Sequence, residues 1–161
     1  MRTEKIFLLR CLGEDLELVF QTRGLPFRYE RSRLTGEGTL PLGEYQLPLI
    51  VSIDQVGSIL TMTLGLPVEF PASGETDAAM ALAQLNSRIT AGCFRIRDGL
   101  VSFRVTSFFR DCRLSLPAIS SMVDFCAASE AYLVPLRRLA AGEITLEQFL
   151  EKMARPVSQE Q

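Results

Sequence analysis

The chain has 161 residues, 47% of them hydrophobic, with 17 basic and 19 acidic side chains, four cysteines and no histidine. That length supports one domain with a full-sized core and no need of disulfide staples, and a net charge of −2 excludes the strongly basic balance of a nucleic-acid-binding domain. No apolar run approaches the roughly 18 residues of a membrane span, and the N-terminal "IFLL", closed by Arg10, is too short for a signal peptide, so the expectation is a cytoplasmic protein with neither a nucleic acid nor a membrane as partner.

Residues 4–23 place Ile6, Leu9, Leu12, Leu16, Val19 and Phe20 in steps of three and four, which predicts an amphipathic helix. Gly13 lies inside it and costs roughly 1 kcal/mol against alanine, so a kink or a split is expected there. Gly24 stops the helix and Pro26 prevents its continuation. "FRYERSR" (27–33) alternates weakly as a polar edge strand, and "LTGEGTLPLGE" reads as a glycine-rich connection. "YQLPLIVSI", "DQVG" and "SILTMTLGL" predict a hairpin, with Leu60, Met62, Leu64 and Leu66 on one face and Thr61 and Thr63 on the other. Pro48 implies that its first strand starts late or lies at an edge. "PVEFPASG" reads as a linker.

"ETDAAMALAQLNSRI" predicts a helix capped by Thr76, with Glu75 and Asp77 at the positive end of its dipole and a buried stripe of Ala78, Ala81, Leu82, Leu85 and Ile89. Two alternating segments then flank Asp98-Gly99. A two-residue turn there needs positive φ, which Asp and Gly tolerate best, and it sets the register: Arg97 faces Leu100, Ile96 faces Val101, Arg95 faces Ser102, Phe94 faces Phe103 and Cys93 faces Arg104. Phe94, Ile96, Val101, Phe103 and Val105 share a core face. Arg95, Arg97 and Arg104 share the opposite face with Ser102 and Thr106. Residues 45–87 carry four acids and no base, whereas 88–113 carry six arginines and two aspartates, net +4. The hairpin is therefore the basic segment, and its arginines are either the solvated side of a one-sided sheet or a stripe that grips an anion or a partner.

"FFRDCRL" is a connection. Ser115 caps the next helix, with Pro117 in its first turn, and that helix carries Ile119, Met122, Val123, Phe125, Cys126 and Tyr132 until Pro135 breaks or kinks it. Gly142 ends one helix, and Thr145 with Gln148 forms a capping box for another. "RPVSQEQ" reads as a frayed tail. The expectation is a single domain over 1–155 and a flexible tail over 156–161.

Absent histidine removes the Ser-His and Cys-His nucleophile pairs and the commonest general base. The carboxylates have structural duties: Asp98 in a turn, Asp111 among arginines, Glu75 and Asp77 at a helix start. Cys11, Cys93, Cys112 and Cys126 form no C-x-x-C pair, so buried free thiols are expected rather than a metal site. No catalytic, metal or cofactor-binding residue is expected, and no cofactor. Arg95, Arg97 and Arg104 stand as candidate partner-binding residues.

The elements together predict an α+β domain, an antiparallel sheet with helices packed on one side, in the order α-β-β-β-α-β-β-α(α). That order, with "ALAQLN" running into "GCFRIRDGLVSFRV" and then a terminal helix, resembles YbjN-like domains and the wider type III secretion chaperone-like fold. The family pattern has an Asn at the end of the middle helix, matched by Asn86, and a strand–Asp-Gly–strand hairpin, matched by residues 93–105. The resemblance implies a small homodimeric domain without an active site. Type III chaperones wrap unfolded segments of a partner protein along apolar patches, and YbjN-like proteins are grouped with regulators. Secretion chaperones are typically strongly acidic, while this chain is near neutral with an arginine-rich hairpin. The function expected is thus a non-enzymatic, dimeric interaction domain that binds a segment of a partner protein. The alternative is a small-anion or small-molecule binding protein, or an enzyme, that uses the arginine-lined face.

Overall fold

The computed structural model describes residues 2–56, 58–110 and 114–154, with side chains from Cys11 onward. Helix α1 (Arg2–Thr22) leads into strands β1 (Phe27–Glu30), β2 (Thr35–Leu42), β3 (Tyr45–Asp54) and β4 (Ile59–Glu69). Helix α2 (Glu75–Asn86), strands β5 (Cys93–Arg97) and β6 (Leu100–Phe108), and helices α3 (Leu116–Ala128), α4 (Leu133–Ala140) and α5 (Leu146–Ala154) follow. The six strands form one antiparallel sheet in the order β1-β2-β3-β4-β6-β5. The helices cover one face, and one hydrophobic cluster runs from Leu12 to Phe149. The α+β class and the one-sided layering are those expected. Ile6, Leu9, Asp111, Cys112 and the tail 156–161 are expectations that lie outside the described residues or side chains.

The sheet has one strand more than the alternation predicts, because the glycine-rich "connection" is β2. Its glycines mark a close approach rather than a loop. A Cβ on Gly36 would lie 2.2 Å from Cζ of Phe27, and one on Gly38 3.1 Å from Cδ2 of the same ring. Phe27 in turn stacks on Phe20 of α1, centroids 4.2 Å apart. Leu40 and Leu42 supply the inward side chains of the strand.

Pro48 is also placed differently from the expectation, inside β3 and between two neighbours. The Thr39 N–H bonds to Pro26 O, so the backbone groups of Thr39 point away from β3. Those of its partner Pro48 therefore point toward β4, where the β3–β4 ladder ends at Leu49–Leu64; on its other side β4 shifts register against β6 between Gly65 and Glu69. The missing N–H falls where no ladder bond is made. The pyrrolidine ring packs on Gly65, whose Cβ would lie 3.1 Å from Pro48 Cγ. Past that irregularity β4 takes up the first residues of the segment read as a linker and ends at Glu69, next to the buried Phe70.

Other local expectations resolve residue by residue. Gly13 does not split α1; it lies under the ring of Tyr29. Thr76 does not cap α2, which starts a residue earlier from the 3-10 turn Ala72–Gly74 and has Gly74 at the cap. Ser115 does cap α3, its Oγ accepting from the Ala118 N–H at 3.2 Å. The α3 helix yields to a 3-10 turn at Ser129–Tyr132, and Pro135 sits buried in the first turn of α4, where a missing N–H costs nothing. Phe125 is 44% exposed rather than buried. Thr145 and Gln148 make the reciprocal box in full: Thr145 N–H to Gln148 Oε1 at 2.9 Å, Gln148 N–H to Thr145 Oγ1 at 3.2 Å.

Cys126 is fully buried in α3, and burial pushes its thiol up to about 12. The folded state therefore holds the proton more tightly than the unfolded chain, and the stability this contributes is intact below the ordinary thiol range and is lost as pH rises toward about 12. The thiolate is the reactive form. In the native protein at pH 8, peptide mapping after iodoacetamide treatment is expected to find Cys126 unmodified, with alkylation only after urea. Modification without denaturant would show that α3 opens locally.

Candidate binding face

With every described helix on one side, no described element covers the other face of the sheet, and that face is bare of them. Its positions are read from the ladder: Glu37, Ile50, Thr63, Arg104 and Cys93 run across β2, β3, β4, β6 and β5, and Thr35, Ser52, Thr61 and Thr106 form the next row. Ile50 is 52% exposed, Leu100 55% and Phe108 73%. Ile59, opposite Phe108 on β4, is half-buried.

The hairpin has the register expected of it at all five pairs, from Cys93–Arg104 to Arg97–Leu100. Asp98 and Gly99 have φ of 52° and 78°, as a two-residue turn of this hand requires. Gly99 is also held by contact, since a Cβ there would lie 2.6 Å from Phe70 O. On the core side Phe94 and Phe103 meet with ring centroids 4.9 Å apart, and Tyr132 meets Phe94 edge-on at 5.5 Å.

All three candidate arginines stand on the bare face. Arg95 and Arg97 are exposed, and among the described residues the sole ion pair of Arg97 is with its neighbour Asp98, Nε–Oδ2 3.6 Å between side chains 93% and 89% exposed, a contact worth little in water. Arg95 and Arg104 form no ion pair among the described residues. Arg104 lies between Thr63 and Cys93 and is half-buried, and its Nε is shut from solvent without a hydrogen-bond partner among the described residues. Hydroxyls of Thr63, Ser102 and Thr106 stand next to it along and across the strands. Glu69, opposite Leu100, pairs with none of the three. The face thus offers cations and hydroxyls to hold an anionic group, beside exposed Leu100.

Both edges of the sheet carry devices that blunt strand addition. On β1 the strand is four residues long, follows Pro26 and carries Arg28 and Glu30 outward, all devices that blunt an edge. On β5 the device is Asn86, at the last turn of α2. Its Nδ2 donates to Phe94 O at 3.0 Å and its Oδ1 accepts from the Phe94 N–H at 2.7 Å. The side-chain amide thereby does for the edge what a neighbouring strand would do. Asn86→Ala leaves both Phe94 groups unpaired, and a loss of about 1–2 kcal/mol is expected from urea denaturation. Asn86→Asp, which keeps the acceptor and loses the donor, is expected to lose a similar amount above the carboxylate range; an unchanged midpoint in both would show that water replaces the amide in full.

Alternation along the hairpin was enough to find the arginines. It also carried a signal for Ile50 and Leu100, which stand opposite in phase to the buried residues of their strands. Phe108 carried none, because the strand end could not be read.

A chain of the HopA1–SchA chaperone–effector complex shares this fold, with a TM-score of 0.51 and 14% sequence identity over 86% of this chain and 98% of that one. No protein-family model matches the chain, and no curated protein matches it. The chaperone-like architecture is therefore a likeness of fold. Among the described residues no helix is long and apolar enough to cross a membrane.

Proposed function

We propose that the protein is a non-enzymatic, cytoplasmic interaction domain of chaperone-like or regulatory type, which binds a segment of a partner protein on the bare face of its sheet. The observation that carries this reading is the face itself: six strands uncovered on one side, with Ile50, Leu100 and Phe108 exposed beside Arg95, Arg97 and Arg104. Exposed apolar side chains framed by cations suit a polypeptide better than a small solute, and arginine is enriched at protein contacts. The likeness to a chain of a chaperone–effector complex supports a protein partner. Residues 1–155 act in this reading as one unit. Asn86 and the Asp98-Gly99 hairpin align it with YbjN-like domains.

A two-fold homodimer belongs to the same reading. A mean hydropathy of +0.18 is high for one domain in water, and Leu18, Met80 and Val134 are exposed on the helices at 48%, 52% and 62%, apolar surface that a second copy would cover. Sedimentation at tens of micromolar is expected to give the dimer; a monomer there removes that part. For the partner, heteronuclear NMR spectra are recorded while reduced, carboxymethylated α-lactalbumin, a permanently unfolded chain, is added. Shifts confined to the outward positions of β3, β4, β5 and β6 are expected. Shifts confined to the helical layer, or none, overturn the reading.

A further inference from the structure

Arg104, Arg95 and Arg97 are not scattered over the face. In the ladder Cys93 pairs Arg104, Arg95 pairs Ser102 and Arg97 pairs Leu100, so the three guanidiniums occupy three successive outward rows of one hairpin. Rows on one face of a sheet lie about 6.8 Å apart, twice the strand rise, and the one sideways step, from β6 to β5, is about 4.8 Å. An extended polypeptide carries its same-side chains with that same repeat of about 6.8 Å. The spacing of cations therefore matches one chemical pattern, carboxylates at alternating positions of an extended segment.

We propose that the β5–β6 ribbon binds an extended acidic segment of the partner, with carboxylates at positions i, i+2 and i+4 lying over Arg104, Arg95 and Arg97. This rests on the reading of the bare face as the partner site and specifies the chemistry of what occupies it. Charge complementarity favours it. The ribbon belongs to the segment of net +4 in a chain of net −2. Arg95 and Arg104 have no ion pair among the described residues, and Arg97 has only the solvent-exposed Asp98. The Nε of Arg104 is a buried donor with no acceptor among the described residues, a condition that an arriving carboxylate can relieve with a small movement of the side chain. Thr63, Ser102 and Thr106 add hydroxyls to the same rows, and Leu100 beside Arg97 takes an apolar residue. Guanidinium forks suit this role better than ammonium groups because they bind carboxylates in the plane, two bonds at a time.

The experiment uses fluorescence anisotropy with three synthetic peptides of equal length: one with glutamate at alternating positions, one with the same residues and its glutamates in a block, and one with glutamine for glutamate. The alternating peptide is expected to bind at least about tenfold more tightly than the other two, with an affinity that falls as salt rises. The triple variant Arg95→Gln, Arg97→Gln, Arg104→Gln is expected to lose that advantage while keeping its urea midpoint, since substitutions at the exposed Arg95 and Arg97 cost little and glutamine at half-buried Arg104 removes a buried donor that has no acceptor among the described residues. If removing Arg104 unfolds the protein, the double variant Arg95→Gln, Arg97→Gln carries the same test, as both residues are exposed. Equal binding of the alternating and block peptides, full retention by the variants, or no binding overturns the proposal. So does displacement by millimolar inorganic phosphate as effective as by free peptide, which would make this a site for a free oxyanion. If unfolded α-lactalbumin shifts the bare face but the alternating peptide does not bind, the acidic pattern fails while the partner face stands. If neither does, both fail.

Discussion

Phe103→Ala is expected to destabilise the protein by about 3–5 kcal/mol, the cost of truncating an aromatic side chain in a core that cannot close over the gap. Phe103 is 2% exposed and Phe94 3%, and they form a directly opposed cross-strand pair. The backbone is shaped around this ring. Gly92 has φ of 87°, and a Cβ there would lie 2.5 Å from Phe103 Cζ and 2.8 Å from Arg104 O. Collapse into the space left by Phe103 would have to move a strand, so the void persists. Tyr132, edge-on to Phe94, would lose its support as well. Urea unfolding monitored by circular dichroism measures the loss. A value below about 1 kcal/mol would mean that the ring is not a core residue.

Gly13→Ala tests a competition between local and tertiary terms. By helix propensity alone the change should stabilise by roughly 1 kcal/mol. In this fold the added Cβ would lie 2.2 Å from Cε1 and 2.5 Å from Cδ1 of Tyr29. Tyr29 is 8% exposed, and its hydroxyl is already buried without a partner among the described residues; the same burial raises its pKa. The ring has nowhere to go without moving β1 or α1. Overpacking wins, and the variant is expected to be less stable by about 2–3 kcal/mol. The sign is expected to reverse in a Tyr29→Ala background, where alanine at 13 meets open space and only the helical gain remains. A double-mutant cycle of urea midpoints measures this coupling; a Gly13→Ala that stabilises the parent would show that the ring is not held against α1.

These two sites also show where the sequence was readable. The hairpin could be paired residue by residue because a two-residue turn leaves no freedom of register. The caps at Ser115 and at Thr145 with Gln148 were equally legible, since each is a bond between residues three apart. Gly13, Gly36 and Pro48 misled for a common reason. Each looks like a break in its own neighbourhood, yet its role is set by a residue distant in the chain or across the sheet: Tyr29, Phe27 and Gly65. Local rules score the break and cannot see the partner that needs the space. The arginine face follows the same division. Alternation put Arg95, Arg97 and Arg104 on one side of the hairpin, but whether that side is bare depends on where five helices pack. The half-burial of Arg104 depends on Thr63 from a strand far upstream.

Asn86 has a consequence for how the sheet breathes. The last strand of a sheet ordinarily frays first and exchanges its outward amide protons within the dead time of a measurement. Here the Phe94 amide is held by a side chain eight residues earlier in the chain, so its exchange requires α2 to lift as well. Ile96 points its backbone the same way, with no bond of that kind among the described residues. Hydrogen exchange is therefore expected to be slow at Phe94 and fast at Ile96, two residues along one edge strand. The step in protection between them would mark how far helix and hairpin open as one cooperative unit.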